Sequence, residues 1–74
     1  MLSPNVPAQL FYEASDFEIV RPGSFVLCAV SGARIELDDL KYWSAEFQEA
    51  YLSAVEATAA MIAGGAKNLK APTL

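Results

Sequence analysis

Apolar residues fall in short clusters along this chain, separated by turn-forming residues, and the clusters predict strands before they predict a helix. Residues 9–12 and 17–20 are rich in aromatic and β-branched side chains, and the polar Glu13-Ala14-Ser15-Asp16 between them predicts a hairpin. Pro22-Gly23 then breaks the chain, because proline sets φ and glycine accepts a positive φ. Residues 24–30 form a third expected strand. Phe25, Val26, Leu27, Cys28, Ala29 and Val30 are all apolar, a pattern expected of a strand buried on both faces. Ser31-Gly32 supplies a turn, and Ala33-Arg34-Ile35-Glu36-Leu37 alternates apolar with charged, predicting a half-buried strand with Ala33, Ile35 and Leu37 inward. Residues 28–35 therefore close a second hairpin.

After Asp38-Asp39 the pattern supports two assignments. One is a single helix capped by Ser44 and running to about residue 63. The other makes residues 40–43 and 48–52 short extended segments and starts the helix only at Ser53. The second has a specific signal: Ser53-Ala54-Val55-Glu56 is a capping box, in which serine caps the third helical amide and glutamate reaches back to the serine amide. Ser44 has Phe47 three residues on and lacks that partner, so the shorter helix is preferred. The alanine-rich run from Ala54 favours helix, and Gly64-Gly65 ends it. The expected fold is α+β: two antiparallel β-hairpins plus short strands, covered by one C-terminal helix. Residues 1–8 read as a flexible arm, 9–63 as a single domain and 64–74 as a flexible tail.

Composition sharpens this picture. A chain of 74 residues buries only about 60% of the surface its unfolded form exposes. Yet 54% of the residues are apolar, and eight carry aromatic rings, more than so small a domain easily covers. Self-association is therefore expected, with a second copy burying what one leaves open. Net charge is −4 with no histidine, and the five cations are scattered, which argues against nucleic acid and anionic membrane surfaces as partners. A single cysteine excludes an intramolecular disulfide framework. No signal-peptide pattern opens the sequence, and no apolar run approaches the roughly 20 residues needed to span a bilayer, so a cytoplasmic location is expected.

From residue 12 to about 56 the sequence resembles the domain of unknown function 2093 family, short uncharacterised bacterial proteins. The residues that carry the resemblance are Arg21-Pro22-Gly23, Phe25-Val26, Cys28-Ala29-Val30-Ser31-Gly32, Ile35, Leu37-Asp38, Leu40, Tyr42-Trp43-Ser44 and Gln48-Glu49-Ala50-Tyr51. Members often carry threonine where Ser31 stands and proline where Glu36 stands, and they tend to end soon after the helix, leaving residues 64–74 unmatched. The resemblance implies the segmentation above and no activity.

Candidate chemistry is thin. Cys28-Ala29-Val30-Ser31-Gly32 has the outline of the first knuckle of a treble-clef zinc site with its second cysteine replaced, and Leu52 and Glu56 stand where the other cysteines would be. Structural zinc wants four thiolate or imidazole ligands in a tetrahedron, so no metal is expected here. The outline fits a degenerate, metal-free knuckle in which apolar packing replaced the ion, provided that the Ser31 turn and the helix start adjoin. Cys28 has no histidine to activate it and apolar neighbours on both sides, which predicts a buried structural thiol. Asp38 with Asp39, or Glu46 with Glu49, offer carboxylates but no partner in a contrasting environment, so no catalytic residue is assigned and no enzyme is expected.

Tyr42, Trp43, Phe47, Gln48 and Tyr51 form the candidate interaction segment. Aromatic residues dominate both cores and binding hot spots, and Arg34 and Lys41 are near enough in sequence to stack on these rings. The expected function is that of a small non-enzymatic interaction or structural protein. Its expected partner is a second copy, in a homodimer with or without exchange of an N-terminal hairpin or the helix about Pro22-Gly23 or Asp38-Asp39, and no cofactor is expected. The alternative is a small regulatory or ligand-binding module using the Tyr42-Trp43 patch.

Overall fold

The computed structural model describes residues 5–69. Half of the expected N-terminal arm (1–4) and the end of the expected tail (70–74) lie outside the described residues. Three two-stranded antiparallel hairpins precede one helix: β1 (Gln9–Tyr12) with β2 (Phe17–Arg21), β3 (Phe25–Leu27) with β4 (Arg34–Glu36), and β5 (Tyr42–Ser44) with β6 (Glu49–Tyr51), followed by α1 (Ala54–Ala63). Short 3-10 turns at Leu37–Asp39 and Ala66–Asn68 complete the chain. The α+β class and the strand–strand–helix order after Asp39 are as the sequence predicts. No described helix is long and apolar enough to cross a membrane.

The first hairpin turns through Glu13 and Asp16. The Glu13 amide donates to the Asp16 carbonyl at 2.8 Å, and the Asp16 carboxylate accepts from the Phe17 amide at 2.7 Å. Its register pairs Leu10 with Ile19 but Gln9 with Arg21, so Val20 is an extra residue on β2, a bulge. The second hairpin pairs Val26 with Ile35, both buried. Here the expectation of a strand buried on both faces is corrected. Val26 and Cys28 point inward, whereas Leu27 between them is 53% exposed. The pleat alternates whatever the sequence does, and nothing in this small fold covers the second face.

The third hairpin lies between the other two and the helix. Trp43 and Ala50, paired across it, belong to a core with Tyr12, Val26, Cys28, Ile35 and Leu40. Strand alternation sends Tyr42, Ser44 and Tyr51 to the opposite face, where α1 packs against β5 and β6. Ala60 is the fully buried residue of the helix.

Helix capping follows the predicted box with one change. Ser53 Oγ accepts from Val55, the second helical amide rather than the third, and Glu56 meets the Ser53 hydroxyl. At the other end Gly64 is left-handed (φ +83°), and the Gly65 amide donates to Ala60 O at 2.8 Å.

Candidate functional site

Residues 28–51, singled out by the sequence, converge on two features: a sulfur-centred knuckle and a set of side chains that tie the hairpins together.

In the knuckle, the Cys28 amide donates to Ala33 O (2.8 Å), and the Gly32 amide donates to Cys28 O (2.9 Å) with Gly32 left-handed at φ +76°. Cys28 is buried, at 2% exposure. Its Sγ accepts from the Ser31 amide at 3.4 Å and from the Leu52 amide at 3.3 Å. The Ala29 amide donates to Ala50 O at 2.8 Å, clamping the same turn to β6. The Ser31 turn thus adjoins the segment leading into the helix, the two joined through the Cys28 sulfur, to which Leu52 contributes its backbone N–H. Burial pushes the thiol up, but hydrogen bonds from the Ser31 hydroxyl and the Ser31, Leu52 and Val30 amides outweigh it, leaving its pKa below the usual thiol value. Among the described residues no three histidine, cysteine or carboxylate side chains gather to hold a metal.

The candidate interaction residues have specific places. Tyr51 is 1% exposed and its hydroxyl donates to Glu49 Oε1 at 2.7 Å. Burial, reinforced by the Glu49 carboxylate, raises its pKa far above the ordinary phenol value. Glu49 in turn accepts from the Ala66 amide, at 2.9 and 3.1 Å to its two oxygens, fastening the chain beyond the helix to β6. Trp43 is half-buried: it stacks near Tyr12 (6.5 Å), meets Phe17 edge-on (5.4 Å), and donates its indole N–H to Glu13 O at 2.7 Å. Phe47 lies in the β5–β6 turn, its amide donating to Ser44 Oγ at 2.9 Å, and its ring touches the position of Gly65. Tyr42 is exposed. The five residues therefore do not share one open face. The expected stacking of Arg34 on this segment does not form. Its guanidinium sits 4.0 Å over Phe25, where strand pairing places it beside Glu36.

Gln48 has a role that sequence inspection missed. It is a non-glycine residue in the left-handed region (φ +55°). From there its side-chain amide behaves like a piece of strand: Nε2 donates to Tyr12 O (2.8 Å) and to Ala45 O (2.7 Å), while Oε1 accepts from the Tyr12 amide (2.9 Å). Both Tyr12 backbone groups, which face the open side of β1, are satisfied by one side chain 36 positions away. Only the turn residues 45–48 carry a signal for this, and it does not specify the partner. Gln48→Ala is expected to cost about 1–2 kcal/mol by leaving the Tyr12 groups unpaired. Chemical denaturation should detect that loss and hydrogen exchange should locate it at the Tyr12 amide. Gln48→Asn, which tolerates the left-handed backbone but reaches less far, should be equally destabilised.

Apolar surface is most exposed elsewhere. On α1, Val55 (75%), Ile62 (83%) and Met61 stand in solvent, with Thr58 and Ala59 between them. On the first hairpin and beside it, Phe11, Ile19 (55%), Val20 and Leu27 do the same. A family model described as "Uncharacterized protein conserved in bacteria (DUF2093)" matches residues 19–60, which run from β2 through most of α1. No curated protein and no solved structure matches the chain.

Proposed function

The chain belongs to the DUF2093 family of proteins conserved in bacteria, and from that premise we propose a role in interaction rather than catalysis, exercised by a self-associated form. The family's description carries no activity, so the reading rests on the molecule itself. One observation carries it: among the described residues ten large apolar side chains are exposed, including those on the outer face of α1 and the outer strand of the first hairpin. Monomeric proteins rarely leave contiguous apolar surface of this kind open, and a second copy is the partner always present. The aromatic segment supports the same reading indirectly. Trp43 and Gln48 bind the third hairpin to the first, which makes a rigid platform for the surfaces outside it.

Sedimentation velocity across a concentration series is expected to give a mass that rises from one chain towards two. A single-chain mass maintained at the highest concentration would remove the proposal. Ile62→Lys and Val55→Lys, both on exposed positions, should leave the far-ultraviolet spectrum unchanged.

A further inference from the structure

We propose that two copies join edge to edge through β2, each Ile19 lying opposite the other, to make a continuous four-stranded antiparallel sheet; this rests on the self-association proposed above. Among the described residues β2 pairs with β1 alone, so its other edge is open. Hydrogen bonding in the turn shows which groups that edge presents. Glu13 and Asp16 form a hydrogen-bonded pair, and an antiparallel ladder alternates from there. Phe11 and Glu18 then bond inward, and Phe17 and Ile19 turn their N–H and C=O outward. The Phe17 N–H is taken by its neighbour Asp16. Ile19 is left with both groups facing out on an exposed residue, followed by the bulge at Val20.

Symmetry narrows the register. A two-fold axis through an antiparallel pair sets each residue opposite itself or opposite one an even number of positions away, because facing residues must project from the same side. Centring on Glu18 brings two carboxylates face to face, which is repulsive. Centring on Val20 uses the bulged residue and opposes Glu18 to Pro22, which has no N–H to give. Centring on Ile19 lets the two isoleucines exchange both backbone hydrogen bonds. Beyond that pair the bulge at Val20 turns Arg21 to the opposite face from Phe17 and Ile19, so this register is a short ladder centred on Ile19 that keeps the two Glu18 carboxylates from facing each other. Charge and hydrogen-bonding geometry thus favour a second copy in one register.

Ile19→Cys in the full chain tests it. The native Cys28 is buried, so the new thiol is the accessible one. In a hydrogen-bonded pair the Cα atoms lie about 5.5 Å apart, inside the range a disulfide spans. Mild oxidation should convert most of the protein to a covalent dimer on a non-reducing gel, while Val55→Cys on the helix stays single. Ile19→Lys should keep the native spectrum and sediment as one chain. If the wild type associates but Val55→Cys links and Ile19→Cys does not, the β2 interface is overturned and self-association stands, by way of the helix. If the wild type is a single chain throughout, both are overturned.

Discussion

Tyr51→Ala is expected to leave the protein largely unfolded at room temperature. Tyr51 is the largest fully buried side chain among the described residues, lying on the face of the third hairpin that α1 covers. Truncating a buried aromatic to alanine costs about 3–5 kcal/mol. Small domains hold only about 0.05–0.15 kcal/mol of stability per residue, so most or all of the total is lost here. Far-ultraviolet circular dichroism against urea would show the transition moved to, or below, zero denaturant. Tyr51→Phe separates packing from the hydroxyl. It keeps the ring and gives up the bond to Glu49, and should cost about 1–2 kcal/mol.

The same pair of proteins gives a pH dependence of definite sign. Burial and the neighbouring Glu49 raise the Tyr51 pKa in the folded chain above its unfolded value near 10. The folded state then holds its proton more tightly. The associated stability is fully present below pH 10 and is lost as pH rises beyond it. Tyr12, raised by burial, adds in the same direction. The midpoint of thermal unfolding should fall between about pH 9.5 and 11 in the wild type, and less steeply in Tyr51→Phe. An equal slope in the two proteins would assign the fall to other groups.

Gly23→Ala is expected to be the most damaging of the conservative surface-loop changes. A Cβ at this position would stand 2.3 Å from the Ala8 amide nitrogen, 2.5 Å from the Pro7 carbonyl carbon and 2.6 Å from the Ala8 Cα. All three are backbone atoms, and they cannot rotate away. Residues 6–8 cross here because the Ser24 amide donates to Val6 O (3.0 Å) and the Ala8 amide to Phe25 O (2.7 Å). Relieving the clash means breaking that crossing, at about 2–3 kcal/mol, in the range of overpacked sites. Gly32→Ala is the contrast. Its Cβ would meet nothing within 4 Å, and only its positive φ is strained, so about 1 kcal/mol is expected. Urea midpoints for the two variants should rank in that order. Hydrogen exchange of Ser24 and Ala8 should rise in Gly23→Ala alone.

These sites show where reading the chain by itself succeeds and where it stops. Local chemistry was legible. The hairpins expected over residues 9–20 and 24–37 (the second with a shorter first strand, ending at Leu27 rather than Val30), the helix beginning after Ser53 and ending at Gly64, and the choice of strands over an early helix for residues 40–52 all follow from alternation, turn residues and a cap, which act over a few positions. Ser44 illustrates the margin: the hydroxyl that could have capped a helix instead accepts from Phe47 in a strand turn, and only the missing carboxylate three residues on betrayed it. Gly23 was legible as a glycine but for the wrong reason. A positive φ was expected, whereas the need is for space under a crossing strand, which no neighbour in sequence announces. The aromatic segment was legible as a cluster. That Trp43 faces Tyr12 and Phe17, that Tyr51 lies inside, and that Gln48 completes the edge of β1 depend on which hairpin meets which, a matter of contacts about 24 to 36 positions apart. The sequence alone therefore determined the elements and their order, because each is set by short-range backbone and side-chain preferences. Tertiary packing decided which apolar residues are covered and which, like Ile19 and Ile62, are left open, because three hairpins and one short helix have too little volume to bury both faces of each.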